Sequence, residues 1–109
     1  MMVLNCWVRG DSTYSAFFVE ISSTKTVGAL KEDIKNKKPV FFRDIDPPDL
    51  ILYQVSLPYD EDGSLEGALG DRTISSLGKS LQNFQKLSAV FNPPLLDNQL
   101  HLIVGMWYF

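Results

Sequence analysis

The stretch FFVEISSTKTVGALKEDIK, residues 17–35, decides the fold, because its hydrophobic period changes partway along. At its start the apolar side chains alternate, which places Phe17, Val19 and Ile21 on one face. A period of two residues is typical of a β-strand with one buried side. The beginning of this stretch therefore predicts a strand.

The rest of the same stretch has the spacing of a helix. Val27, Leu30 and Ile34 follow one another at i, i+3 and i+7, which places them on one face of a helix. Thr26 can cap this helix, because its hydroxyl can accept a hydrogen bond from an N–H of the first turn. Pro39 predicts the end of the helix, since the residue before a proline avoids the α region.

Three further segments predict strands. Residues 3–9 alternate and, with a turn at 10–13, form an opening hairpin with the strand described above. Residues 50–55 are apolar on both faces and follow Pro47-Pro48, where no strand can form. Residues 100–104 are apolar enough to lie at the centre of a sheet. We therefore expect an α+β fold in which one main helix packs across a four- or five-stranded mixed sheet, with the last strand parallel to the first.

Composition and charge exclude several classes of protein. The chain has 109 residues, of which 45% are hydrophobic, and this is typical of a single globular domain. Its net charge of -3 argues against general binding of nucleic acids or anionic membranes. A single cysteine and a single histidine exclude an intrachain disulfide and a four-ligand Cys/His zinc site. We find no apolar run long enough to span a membrane, and residues 1–20 do not have the pattern of a signal peptide.

The residues that could carry chemistry favour structural roles. His101 lies between two leucines without a second histidine nearby, and Cys6 lies mid-strand beside apolar residues. The glycines at 63, 67 and 70 do not have the G-x-x-x-x-G-K-S/T spacing, so they do not predict a phosphate-binding loop. Because no base, nucleophile and orienting group occur together, we predict a protein that is not an enzyme and has no cofactor or metal.

Several motifs resemble those of a known family. The residues 17–35 are similar to the second strand and helix of ubiquitin-like domains, and more so to the N-terminal domain of Crinkler effectors. In that family a K-T-V-x-x-L-K-x-x-I helix is followed by lysines and by D-x-D-x-x-x-L-x-L. The matching residues are Lys25-Thr26-Val27, Leu30-Lys31, Ile34, Lys37-Lys38, Asp44-Ile45-Asp46, Leu50-Ile51-Leu52, Leu87-Ser88-Ala89-Val90-Phe91 and Leu100-His101-Leu102-Ile103-Val104. The resemblance implies a ubiquitin-like β-grasp domain of the Crinkler type over residues 1–105, with a short tail at 106–109.

The same resemblance implies a function. It suggests a non-enzymatic domain of a secreted effector of a plant-associated eukaryotic microbe, which enters host cells and contributes to virulence or symbiosis. A family segment L-x-L-F-L-A-K, linked to delivery, maps onto residues 50–56. Leu50 and Leu52 match it, and Tyr53 stands for its aromatic residue. The next three residues depart from the segment; they are Gln54, Val55 and Ser56.

A second hypothesis is an intracellular PB1-like module for oligomerisation or for adaptor contacts. The acidic residues Asp60, Glu61 and Asp62 resemble the acidic element of the PB1 family, which pairs with a basic residue of another copy. Arg9 or Lys25 could be that basic residue. Under either hypothesis we expect protein partners, which include host proteins under the first, and the sequence leaves the oligomeric state open.

Two surfaces are the predicted contact sites. One is a sheet edge near residues 50–55, and the other is formed by the lysines late in the helix, which are Lys35, Lys37 and Lys38. An edge strand can add a strand of a partner through its backbone, and exposed lysines can pair with acidic groups.

Overall fold

A computed structural model describes residues 1–9, 15–58, 78–91 and 99–106. The strands are β1 (Met2–Val8), β2 (Phe17–Ile21), β3 (Leu50–Pro58), β4 (Lys79–Ser80) and β5 (Gln99–Met106). The helices are α1 (Val27–Lys37) and the short α2 (Leu87–Val90), and a 3-10 turn covers Pro47–Asp49. None of the helices in these ranges is long and apolar enough to cross a membrane.

The five strands form one mixed sheet in the order β2-β1-β5-β3-β4. β1 and β5 are parallel, with Cys6 beside Leu102 and Val8 beside Val104, whereas the other neighbours are antiparallel. This order, with one main helix, is consistent with a β-grasp fold. The predicted α+β class and the parallel pairing of the last strand with the first are therefore confirmed.

Helix α1 begins and ends where the sequence predicts. The Thr26 hydroxyl accepts a hydrogen bond from the Ala29 N–H at 3.3 Å. The N–H groups of Val27 and Gly28 donate to the backbone oxygens of Gln85 and Asn83 at 2.8 and 3.0 Å. Thus a cap and a neighbouring segment together satisfy first-turn groups that have no partner within the helix. The helix ends at Lys37, two residues before the proline at position 39.

The sheet buries apolar side chains on both of its faces. The face covered by α1 holds the larger cluster, in which Val27, Leu30 and Ile34 are fully buried. The other face holds a smaller cluster of Trp7, Val55, Leu57, Leu100 and Ile103. This second cluster explains why β3 and β5 are apolar on both sides, since side chains alternate across a strand.

Candidate interaction surface

The segment at residues 50–56, which resembles the family segment linked to delivery, lies in β3. The fold limits which of its side chains a partner can reach. Leu50, Leu52 and Val55 are buried, Tyr53 and Gln54 are half-buried, and Ser56 is exposed. Both matching leucines lie in the large cluster under α1, so their burial stabilises the fold. A partner that binds this segment in the folded domain can therefore contact only the side chains that are not buried.

The prediction of a free sheet edge near residues 50–55 is wrong. β3 lies between β5 and β4, and Tyr53 and Gln54 pair with Ser80 and Lys79 of β4. The two-residue strand β4 lies far along the chain and has no hydrophobic period of its own, so the sequence pattern did not reveal it. At this point the backbone of β3 is paired on both sides.

The polar side chains of β3 are already engaged within the domain. The Gln54 side-chain amide donates to the backbone oxygen of Val90 at 2.8 Å. The Ser56 hydroxyl hydrogen-bonds the Gln99 side-chain oxygen at 2.9 Å. The register between β3 and β5 shifts between Gln54 and Leu57, as in a β-bulge. Gln54 therefore ties β3 to the end of α2.

The lysines at the C-terminal end of α1, two within the helix and Lys38 directly after it, have different partners. The Lys35 ammonium donates to the backbone oxygen of Ile45 at 2.6 Å. The Lys37 ammonium lies 5.0 Å from the ring centre of Phe18, in β2. Such a cation–π contact is worth about 0.5–1 kcal/mol at an exposed site. These lysines hold neighbouring segments as well as carrying charge.

Lys38 connects three segments at the end of α1. Its ammonium donates to the backbone oxygen of Ser15 at 3.4 Å and lies 5.2 Å from the ring centre of Phe17 and 5.9 Å from that of Phe41. Phe41 packs edge-on against Phe42, with 5.0 Å between ring centres. Lys38 therefore brings β2 and the segment after α1 close to the C-terminal end of the helix.

Sequence reasoning missed the apolar side chains beside these lysines. Phe18, Val40 and Phe41 are 50%, 80% and 46% exposed. The signal was present in the sequence, because KNKKPVFFR at residues 35–43 combines four cations and no acid with three apolar residues. This segment has neither a helical nor a strand period, so its sequence pattern does not show which side chains share a face.

An open pocket of about 230 Å³ lies where α1 passes the outer edge of β2. Val19, Glu20, Asp33, Asn36 and Lys37 line it. β2 is a terminal strand of the sheet and has β1 as its neighbour. Within the described residues, the outer edge of β2 is therefore the accessible sheet edge beside the lysines of α1.

One cation of α1 faces inwards. Lys31 is 5% exposed, and its burial lowers the pKa of its ammonium, while the charge of Asp49 acts in the opposite direction. Burial disfavours a charged amine unless partners compensate it. Lys31 therefore lies on the core side of α1 and is not a contact site.

The acidic residues of the PB1-like hypothesis, which are Asp60, Glu61 and Asp62, lie outside the described residues. Arg9 and Lys25, the proposed basic partners, are both exposed. Arg9 follows the last residue of β1, and its N–H donates to the backbone oxygen of Val104 at 2.8 Å.

Cys6 and His101 have the buried positions expected of structural residues. Cys6 is fully buried, which raises the pKa of its thiol, and its sulfur lies 3.5 Å from the backbone oxygen of Leu4. His101 is also buried, and its Nδ1 accepts from the Asn5 N–H at 2.9 Å. In the described part of the chain, no three His, Cys, Asp or Glu side chains cluster as metal ligands do.

Comparison with known proteins places this arrangement in a family. Residues 2–105 match the sequence profile of the Crinkler effector protein N-terminal domain. The chain belongs to the Crinkler family. A curated relative, Crinkler effector protein 1 of Rhizophagus irregularis, is 30% identical over 104 residues, which are 94% of this chain and 21% of the relative. The chain thus spans about a fifth of the length of this relative.

The Crinkler match extends across the whole fold. Its 104 positions begin at the first residue of β1 and end one residue before the end of β5. It therefore includes both strands of the parallel pair and the helix between them. The Crinkler resemblance seen in the sequence motifs is confirmed, and the surface beside β2 and α1 belongs to the matched domain.

Proposed function

We propose that this chain is the N-terminal domain of a secreted Crinkler effector, and that it acts in delivery into host cells and in recognition of proteins rather than in catalysis. The match to the Crinkler N-terminal domain over residues 2–105 carries this proposal. Because the chain spans 21% of its relative, the relative has a large region in which other activities can reside.

The fold suggests how such a domain recognises a partner. In the segment at residues 50–56, the two leucines and Val55 are buried. The side chains that a partner reaches are Ile51, Tyr53, Gln54 and Ser56. The lysines Lys35, Lys37 and Lys38 supply the charged part of a second contact surface, and the exposed Arg9, just after β1, is a separate candidate contact. Recognition therefore depends on the folded domain and not on an extended linear motif.

Delivery is tested by expressing the full-length protein, with one half of a split fluorescent protein attached, in the microbe that produces it. The host cytosol contains the complementary half. We expect fluorescence inside host cells, and retention of the tagged protein within the producing cells would refute the effector function. A cytosolic microbial protein with the same tag controls for leakage.

The surface is tested in the same assay with matched charge variants. The triple variant Lys35→Gln, Lys37→Gln, Lys38→Gln is expected to reduce host fluorescence. The control removes three exposed carboxylates, in Glu32→Gln, Asp44→Asn, Asp46→Asn, and should leave it unchanged. Thermal unfolding of each purified variant separates loss of a contact from loss of the fold. Equal delivery by a folded lysine variant and the control would exclude the lysines from recognition.

The absence of catalysis is tested separately on the purified chain. We expect no turnover in a screen of nuclease and hydrolase substrates, because no base, nucleophile and orienting group occur together in the sequence. Turnover that follows the protein through purification, and that a denatured sample lacks, would contradict this part of the proposal.

A further inference from the structure

One side chain of α1, that of Lys37, lies beside the outer edge of β2. α1 packs on the face of the sheet that carries Val19 and Ile21, which are buried, whereas Phe18 alternates to the opposite side. The Lys37 ammonium nevertheless lies 5.0 Å from the Phe18 ring centre. Its side chain must therefore reach past the edge of β2, where a lysine discourages indiscriminate pairing of strands.

The edge also carries an acidic group, with which the corresponding lysine of another molecule can form an ion pair. Glu20 is exposed on the same strand and lines the open pocket with Lys37. None of the described residues forms an ion pair with the Glu20 carboxylate. The edge thus holds a positive and a negative charge two strand positions apart, since Lys37 is fixed above Phe18.

We propose that this edge binds a second copy of the chain, through antiparallel pairing of β2 with β2 about a two-fold axis at Val19. In this register Phe17 lies opposite Ile21, Phe18 opposite Glu20, and Val19 opposite itself. All five residues of β2 are paired, and the two sheets join into one. An isologous interface of this kind uses each contact twice.

Alternation and charge select this register over its neighbours. Directly opposed residues of an antiparallel pair point to the same face, so Phe18 must lie opposite Phe18 or Glu20 and not opposite Val19. A Phe18–Phe18 register brings the two Lys37 cations together and shortens the overlap. A Glu20–Glu20 register places two carboxylates opposite each other, which is destabilising.

The selected register instead places Glu20 of one copy beside the Lys37 cation of the other, twice. Opposed side chains of such a pair have their Cβ atoms about 4.5–5.5 Å apart, and a lysine that already covers Phe18 can reach that distance. The chain has a net charge of -3, so association must overcome a general repulsion that these two local pairs oppose.

Sedimentation equilibrium of the purified chain tests the proposal, at concentrations from about 10 to 500 µM, a range in which weak dimers dissociate. We expect a mass that rises toward twice the 12.3 kDa of one chain. Glu20→Lys and Lys37→Glu should each weaken association by about tenfold or more, because two attractive pairs become two repulsive ones. A monomer at the highest concentration would overturn the proposal.

Mixing the two charge variants gives the decisive measurement. A Glu20→Lys chain has two cations at its edge and a Lys37→Glu chain has two anions, so an equimolar mixture should form heterodimers although neither variant self-associates. The double variant Glu20→Lys, Lys37→Glu should also dimerise again. Failure of both to restore association, in samples that circular dichroism shows to be folded, would exclude this register.

Two controls locate the interface. Glu32→Lys changes an exposed charge of α1 that does not line the pocket and should leave the dimer intact. Reversal of Asp60, Glu61 and Asp62 to lysine should also leave it intact. Dissociation by that acidic set, together with no effect of Glu20→Lys, would place the interface at the PB1-like element and overturn the proposal.

Discussion

Replacement of the single histidine by leucine, His101→Leu, should cost more stability than its replacement by asparagine, His101→Asn. The Asn5 backbone N–H donates to the His101 Nδ1 at 2.9 Å. This bond joins β1 to β5 across 96 positions of the sequence. An asparagine can offer its amide oxygen near the same position, whereas a leucine has no acceptor.

The magnitude follows from the lost acceptor. His101 is buried, so in His101→Leu the Asn5 N–H has little access to water where the imidazole was. A buried donor that loses its acceptor costs about 1–3 kcal/mol. We therefore expect His101→Leu to be less stable than His101→Asn by about 2 kcal/mol.

Urea unfolding of the natural chain and of both variants at pH 8 measures this effect. We expect the free energy of unfolding of His101→Leu to be about 2 kcal/mol below that of His101→Asn, equivalent to about 9 °C in Tm. Both variants lack the imidazole, so the loss of its ring packing is common to both. Equal stability of the two variants would refute the importance of an acceptor at this position.

Three further predictions concern α1 and β4. Leu30→Ala, at a fully buried position, should lower the free energy of unfolding by about 3 kcal/mol. The control Glu32→Ala, at an exposed position, should change it by less than about 0.5 kcal/mol. Chemical denaturation measures both. Lys31→Met should stabilise the chain by about 1 kcal/mol at pH 7, since burial lowers the pKa of Lys31 and the charged form is penalised in the folded state. The stability advantage of Lys31→Met over the natural chain should shrink as the pH rises, and thermal melts at several pH values check this. The reason is that the folded natural chain loses the Lys31 proton below pH 10.5, so the penalty on the buried charge disappears. Gly78→Ala should cost about 2 kcal/mol or more, because a Cβ there would overlap the backbone oxygen of Gln54, and hydrogen exchange should show loss of protection in β4.

The elements with their own hydrophobic period could be predicted from the sequence. Val27, Leu30 and Ile34 form a regular stripe, and all three are fully buried under α1. The Thr26 cap and Pro39 set the ends of that helix for local reasons, which act whatever the rest of the chain does. β5 could be placed centrally because a strand buried on both faces lacks polar alternation.

Features that depend on distant contacts could not be predicted in this way. Phe42 is fully buried, although it lies in an irregular segment without a period. β4 consists of Lys79 and Ser80, and it is a strand only because β3 lies beside it. This unpredicted strand pairs with β3 at Tyr53 and Gln54, so the edge expected near residues 50–55 is covered at that point. The contact of Lys37 with Phe18 likewise requires α1 and β2 to be assembled first.

The position of β5 in the sheet has a consequence for synthesis of the domain. In the order β2-β1-β5-β3-β4, residues 99–106 are the only link that the described strands provide between the β2-β1 pair and the β3-β4 pair. A nascent chain that lacks these residues can form two separate ribbons but no continuous sheet. Completion of the sheet must therefore wait until the ribosome has released residue 106, so that any region that follows is already being translated when the domain first closes.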